Sequence, residues 1–383
     1  MIPYAKQSID ESDIAAVCEV LRSDFLTTGP TIELFENVLS RRVGMSHAVA
    51  LNSGTAALHA ALVAIGIGPG DEVIVPPITF VATANAVIYC GATPVFADVD
   101  PDTLLLDPQQ VEQNITTATR AIIAVDYAGQ PADYPALKMI ADQHDLVLIS
   151  DACHSLGAEL NGTPVGALAD LTVFSFHPVK PITAGEGGMV ITDNPQYAER
   201  MIRFRSHGID KDHNLRAALN SWEYDMTELG YNYRLTDIQC ALGLSQLKRL
   251  ERFIQRRSEI AAIYTQGFAG QPGFSPLPVR DGVKHAHHLF VIKLHDTFDQ
   301  QHRLALFEKL RAVGIGVNVH YRPVYLNSYY RQHIEPQSIS CPVAEQSYQR
   351  ILSLPIYPSM VDSDIQFVMD QLLIASDEIL VAS

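Results

Sequence analysis

The sequence predicts an α/β fold, a largely parallel seven-stranded sheet with helices on both faces, followed by a smaller C-terminal α+β domain. Three observations carry this expectation. Short apolar runs of strand-forming residues recur at 48–51, 73–75, 94–97, 121–125, 146–149, 171–174 and 189–192. Amphipathic helical patterns at 56–65, 82–90 and 134–144 separate several of them, as βα units require. A chain of 383 residues is also long enough for two buried cores. We place the boundary so that 1–245 is a large domain with an N-terminal arm and 246–383 a small one.

Composition narrows the function. A formal charge of −16 leaves no basic face for nucleic acid. It does not exclude a small anion, which one helix N-terminus can hold. No apolar run approaches the roughly 20 residues of a membrane span, and Met1-Ile-Pro-Tyr-Ala-Lys6 has no signal-peptide core. The five cysteines (18, 90, 153, 240 and 341) form no CxxC pair, which suits a reducing cytoplasm without structural zinc. Cys341 has no activating neighbour and reads as an incidental thiol.

Asp10 opens a helix to Arg22 with apolar Ile14, Val17, Val20 and Leu21 on one side. The segment 24–30 breaks it, and a second helix covers about 31–44. These two helices are placed either to close over a site or to pack on another subunit. In a parallel sheet ligands bind beyond the carboxyl ends of the strands, so the residues there sample the site. The first strand leads into Asn52-Ser53-Gly54-Thr55 at a helix start, a phosphate cradle or a plain cap. The second leads to Phe80, either an aromatic wall or a core residue. The fifth ends in Asp151, an acid that needs a partner after an apolar run; a protonated heterocyclic nitrogen or a helix N-terminus would serve. The sixth ends in Ser175. Lys180 follows between Pro178 and Pro181, ahead of Gly185, Gly187 and Gly188. In a stiff loop between core strands it is either a desolvated amine nucleophile or a cation that snorkels out or pairs with Glu186.

In the last third, 238–264 reads as one long helix, rich in arginine on one side, that bridges the domains. A strand is expected at 287–294, a helix at 301–313 ending at Gly314, a strand at 316–320 and a helix at 363–375. His285, His287 and His288 would be split between the faces of a strand, so no metal is expected.

A constrained lysine, an acid, hydroxyls and a helix N-terminus at four strand ends together match what pyridoxal 5'-phosphate needs: a Schiff-base amine, a partner for its ring nitrogen and phosphate ligands. The motifs Asn-Ser-Gly-Thr-Ala (52–56), Asp-Ala-Cys-His-Ser-Leu-Gly-Ala (151–158), Phe-Ser-Phe-His-Pro-Val-Lys (174–180), Gly-Glu-Gly-Gly (185–188) and Gly-Tyr-Asn-Tyr-Arg-Leu (230–235) resemble the DegT/DnrJ/EryC1/StrS sugar aminotransferase family, from about residue 2 to about 375. The resemblance implies fold type I of the pyridoxal-phosphate enzymes, the aspartate aminotransferase-like fold, and a homodimer with shared sites. It implies Lys180 as the Schiff-base lysine, Asp151 at the ring nitrogen, Phe80 stacked on the ring and His154 near the phenolic oxygen. Ser53, Gly54, Thr55 and Ser175 would serve the phosphate, and Asn232 would come from the partner subunit. Cys153 and Ala184 depart from the usual alanine and threonine at positions not expected to carry chemistry.

Arg205-Ser-His-Gly-Ile209, 242–248 and Val319-His-Tyr-Arg-Pro-Val324 further resemble the pseudaminic-acid branch of that family. That implies L-glutamate as donor and a UDP-linked 4-keto-6-deoxy N-acetylhexosamine as acceptor. Tyr4, the loop Asp24, Phe25, Leu26 and Thr27, together with Ser53, Asn232, His320, Tyr321, Arg322 and Pro323, would touch the sugar nucleotide. Another keto-sugar specificity, or a noncatalytic cofactor-binding regulator, is the competing reading.

Overall fold

The computed structural model describes residues 1–211, 213–333 and 340–382. Helices α1 (Glu11–Leu21) and α2 (Pro30–Val43) lead the chain. Asp10 caps α1 through a reciprocal capping box, and α2 ends at Gly44 with φ +76°, a left-handed turn that glycine adopts without strain. Then come β1 (His47–Leu51), α3 (Gly54–Ala64), β2 (Glu72–Val75), α4 (Ala82–Tyr89), β3 (Thr93–Phe96), α5 (Pro108–Gln113), β4 (Thr119–Val125), α6 (Tyr134–Gln143) and β5 (Val147–Asp151). A small hairpin, β6 (Glu159–Leu160) and β7 (Thr163–Pro164), precedes β8 (Leu171–Ser175) and β9 (Gly188–Thr192).

Seven of these strands form one sheet in the order β1-β9-β8-β5-β4-β2-β3. All neighbours are parallel except β9, which runs against both β1 and β8. The expected α/β sheet is therefore present, with one reversed strand. Alternation along β4 shows how it is buried: Ala121 and Ile123 face one apolar layer, with α3 and α4, while Ile122 and Ala124 face the layer with α6.

The chain continues through α7 (Pro195–Phe204), α8 (His213–Ala218), α9 (Asp237–Leu247) and α10 (Leu250–Gly267). The single helix expected over 238–264 is thus two. The break falls at Lys248-Arg249, where Arg249 leaves helical geometry (φ −107°, ψ 2°) and its guanidinium turns back to pair with Asp10 and Asp13 at the start of α1. A tertiary ion pair overrides helix propensity there. Beyond the break, α10 does bridge: Phe253 and Ile254 join the core beneath the large sheet, whereas Ile260, Ala261 and Tyr264 belong to a second core.

That second core lies under a three-stranded antiparallel sheet formed by β10 (Phe274–Pro276), β12 (Phe290–Leu294) and β13 (Ile351–Leu354). The short β11 (Val283–Lys284) instead pairs with β6. Helices α11 (Gln300–Ala312), α12 (Ser328–His333), α13 (Pro342–Arg350) and α14 (Asp362–Ala382) complete the chain. Two expectations fail here. The strand expected from 287 begins only at Phe290, because His287 has φ +45° and turns out of extended geometry. The segment 316–320 is no ladder strand; it makes single bridges, Ile2 to Ile315 and Asn318 to Ser353. The first residues are stitched to this unit, with Ile2 N–H donating to Gly314 O at 2.8 Å and Ile356 N–H to Tyr4 O at 3.1 Å.

Helices α1 and α2 pack on α9, and α2 also on β1. Asp237, fully buried at the start of α9, accepts the N–H groups of Gly29 (2.8 Å) and Thr31 (3.0 Å) and so pins α2 at its N-terminus. Arg257 of α10 is 1% exposed and donates to the carbonyls of His287, His288 and Ile356 at 3.2, 3.3 and 2.9 Å. Replacing it with methionine keeps the bulk but leaves those acceptors unpaired. We expect Arg257→Met to lose about 2–4 kcal/mol of stability in urea unfolding; a loss under about 0.5 kcal/mol would show the carbonyls need no partner.

Candidate active site

At one edge of the large sheet four strand ends come level. Gly188 pairs in register with both Leu51 and Ser175, while Asp151 pairs with both Val125 and Val173. Two glycines permit this convergence. A Cβ on Gly188 would lie 2.4 Å from Ser53 O, and one on Gly54 would lie 3.1 Å from Ser175 Cβ and 3.3 Å from Cys153 Sγ. The result is a cavity of about 780 Å³.

Ser53 caps α3, its Oγ accepting the N–H of Ala56 at 3.0 Å. The backbone N–H groups of the first helical turn, at Gly54 and Thr55, are left facing the cavity end with a positive helix dipole behind them, and Ser175 lies opposite. The cavity end thus fits a phosphate.

Asp151 is 5% exposed at the end of β5. Its Oδ2 accepts the Thr83 hydroxyl at 2.7 Å and its Oδ1 the Cys153 N–H at 3.3 Å. Behind the strand, Asp126 is wholly buried and accepts from Tyr134, Ser155 and the Ala132 N–H; burial still pushes its pKa up to about 7.

Lys180 sits half-buried on a loop that closes on itself. Phe176 O accepts from Ala184 N–H (2.9 Å) and Thr183 Oγ1 (3.1 Å), and Lys180 N–H donates to His177 O at 2.9 Å. Burial pulls the amine's pKa below its usual range, with partial relief from Cys153 and Asp151. The pairing alternative is not realised: among the described residues no ion pair joins Lys180 to Glu186, whose carbonyl is held by Gln239 at 2.9 Å. The core alternative for Phe80 also fails, since its ring is 57% exposed at the rim, 6.3 Å from that of Tyr321.

A group of neutral imidazoles lines the other wall. His154 Nε2 meets Tyr321 Oη at 3.2 Å, its ring lies 4.3 Å from that of His288, and Nδ1 of both histidines has no partner among the described residues. His320 Nε2 accepts from Asn318 at 3.2 Å, so its Nδ1 donates to Ser353 at 2.8 Å. Burial drives His154 and His288 well below the ordinary value of 6.5 and His320 to about 4. The strand geometry expected to separate the HxHH run does not apply, because His285 and His287 stack 4.1 Å apart before the strand begins. Among the described residues no three metal-ligating side chains cluster.

Of the residues singled out in the sequence, Tyr4, Ser53, Gly54, Thr55, Phe80, Asp151, His154, Ser175, Lys180, His320 and Tyr321 line the cavity. Asp24, Phe25, Leu26 and Thr27 do not; they form an exposed loop tied to α9 by Leu26 O. Arg322 points outward to Leu326 O, and Pro323 is buried beside it. Asn232 lies on the outer surface behind Asn52, whose amide meets its carbonyl at 3.4 Å. Sequence reasoning missed Thr79, Thr83, His177, His288 and Asn318 in the wall and set Cys153 aside. The i, i+4 spacing of Thr79 and Thr83 after the second strand was the available signal for that pair.

The profile of the DegT/DnrJ/EryC1/StrS aminotransferase family matches residues 7–373. The spore coat polysaccharide biosynthesis protein SpsC of Bacillus subtilis is 40% identical over 371 residues, 96% of this chain and 95% of that protein. The sugar aminotransferase Spr1654 of Streptococcus pneumoniae, described as putative and solved in PMP and PLP forms, superposes in its PMP form with a TM-score of 0.94 at 33% identity, covering 99% of this chain and 100% of that one. Helicobacter pylori PseC, an aminotransferase of pseudaminic acid biosynthesis, gives 0.91 at 36% identity over 98% and 99% of the two chains. The fold is that of a pyridoxal-phosphate-dependent aminotransferase. The chain belongs to the DegT/DnrJ/EryC1/StrS family of sugar aminotransferases, whose cofactor is pyridoxal 5'-phosphate.

The buried imidazoles set an acid limit. Below about 6.5 the unfolded chain protonates them, while the folded chain resists, His287 and His320 until about 4. The stability they contribute is therefore full above 6.5 and lost as pH falls toward 4. Asp126 acts in the opposite sense, its contribution being lost as pH rises through about 7. We expect the melting temperature to fall between pH 6.5 and 4, and His288→Asn to flatten that fall; a profile unchanged by the substitution would contradict it.

Proposed function

We propose that this enzyme moves an amino group from L-glutamate to C4 of a UDP-linked 4-keto-6-deoxy N-acetylhexosamine. The observation that carries the aminotransferase part is the meeting of Lys180, Asp151 and the Ser53–Thr55 helix start in one cavity. For the finer acceptor, support comes from the likeness to PseC at 36% identity and from Tyr4 and Tyr321 as aromatic walls.

When bound, pyridoxal 5'-phosphate supplies an aldehyde that carries the amino group and a ring that takes up carbanion charge. In this reading Lys180 Nζ, whose pKa burial lowers, would anchor the cofactor covalently. With the donor in place, the same Nζ would take the proton from the donor Cα, and in the second half it would deliver one at C4 of the sugar. Asp151 would keep the proton on the ring nitrogen. The N–H groups of Gly54 and Thr55 with the hydroxyls of Ser53 and Ser175 would hold the phosphate. His154 would serve the phenolic oxygen, and Phe80 would cover the ring from the rim. Tyr4, His320 and Tyr321 face the sugar. Asn232 and the loop at Asp24–Thr27, which lie outside their own cavity, serve the site of a second copy. Exposed Phe25, Leu26, Trp222 and Leu229 nearby in sequence support such a homodimer. The domain division at 245/246 is proposed with it. No helix among the described residues is long and apolar enough to cross a membrane, and the cytoplasm is the proposed site of action.

A second reading is another 3- or 4-keto nucleotide sugar as acceptor, since the chain is 40% identical to SpsC, a protein of spore coat polysaccharide biosynthesis, as against 36% to PseC. Borohydride treatment of the holoenzyme should fix the vitamer on residue 180, and Lys180→Ala should lower turnover by at least about a hundred- to ten-thousand-fold. A label on another lysine, or near-normal turnover in the variant, would end the assignment. With L-glutamate and the 4-keto-L-arabino sugar nucleotide, the 4-amino product should form, its configuration read by NMR. Turnover confined to a different keto sugar would select the second reading.

A further inference from the structure

Thr83 lies in the first turn of α4 and is completely buried. Its neighbours on that helix, Ala84, Ala86 and Val87, are buried and apolar, so a valine would pack there as well as a threonine. A helical threonine ordinarily spends its hydroxyl on a carbonyl of its own preceding turn. This one instead reaches across 68 residues of sequence to Asp151 Oδ2 at 2.7 Å. Thr79, 2% exposed, lies behind it, with the two hydroxyl oxygens 2.8 Å apart. A hydroxyl has one proton. Because Thr83 gives its proton to Asp151, Thr79 supplies the proton between the two threonines, and the chain has one direction: Thr79 to Thr83 to Asp151.

We propose that Thr83, polarised by Thr79, is a positioning residue for the transamination, fixing the Asp151 carboxylate so that its remaining lone pairs face the cavity. The inference rests on the reading above that Asp151 meets the ring nitrogen. Two oxygens offer about four acceptor sites; Thr83 takes one, the Cys153 N–H at 3.3 Å another, and the rest open on the cavity that Asp151 lines. The donors act twice. They hold the carboxylate in one orientation, with Thr83 itself limited at χ1 by its branched Cβ. They also share the carboxylate charge, which leaves the proton on the ring nitrogen instead of drawing it to Oδ. With both hydroxyls buried, the Thr79 bond strengthens the Thr83 bond.

The test loads wild type, D151N, T83V, T83S and T79V with 15N-labelled pyridoxal 5'-phosphate, reads the ring-nitrogen resonance, and measures kcat and KM separately. T83V should move the resonance from the wild-type position toward that of D151N. Its kcat should drop roughly ten- to a hundred-fold, as loss of one hydrogen bond to a charged group implies, with KM for the keto sugar unchanged. T83S should restore both, and T79V should shift both part of the way. An unmoved resonance in D151N would overturn the Asp151 reading itself. With D151N shifted, a wild-type resonance in T83V, or the same displacement in T83S as in T83V, overturns the relay. If T83V does not fold, T79V decides: a smaller displacement in the same direction supports the relay, and a wild-type resonance overturns it.

Discussion

Gly188 stands in register between Leu51 and Ser175, where any side chain would enter the carbonyl of Ser53. That contact sets how closely the start of α3 approaches the ends of β1 and β8. Gly54 sets the same approach from the other side, against Ser175 and Cys153. Two missing Cβ atoms thus bring a helix dipole, a hydroxyl and an acid-bearing strand to one level. The cavity is what remains between them, and every later property of the site follows from that spacing.

The second determinant is desolvation. The cavity wall carries His154, His288, His320 and Lys180, four groups that could be cations; burial discourages each, and the Lys180 charge further discourages the three imidazoles. Asp151 is the acid among them. In the proposed reaction, proton exchange at carbon needs a basic amine and a ring that stays protonated; one cavity serves both when its buried carboxylate, Asp151, is well supplied with donors and its bases are desolvated. The support of Asp151 by Thr83 belongs to this balance, as does the placing of Asp126 on the far face of the strand, out of reach of the reacting groups.

Much of this was legible in the amino-acid sequence. All seven strands of the large sheet lie within two residues of their expected positions, because buried parallel strands announce themselves as short apolar runs between helical patterns. Asp10 and Gly44 mark helix ends by local chemistry alone. What could not be read depends on residues distant in sequence. The break after Lys248 exists because Arg249 finds Asp10 and Asp13, more than two hundred positions away. The His285–His288 segment leaves strand geometry where it crosses the turn at Gly129, whose φ of +103° lets the two backbones meet. Thr83 looks like any threonine in an alanine-rich helix until Asp151 is placed beside it. Cys153 passed as a neutral replacement because a sequence does not show which side chains face a cavity.

The grip of Arg257 on the His287, His288 and Ile356 carbonyls has one more outcome. The residue belongs to the helix that runs from one core into the other, and His288 forms part of the wall near Lys180. One guanidinium thus ties the helix that spans both cores to the backbone of a cavity-wall histidine, so the wall near Lys180 and the smaller core share a single anchor.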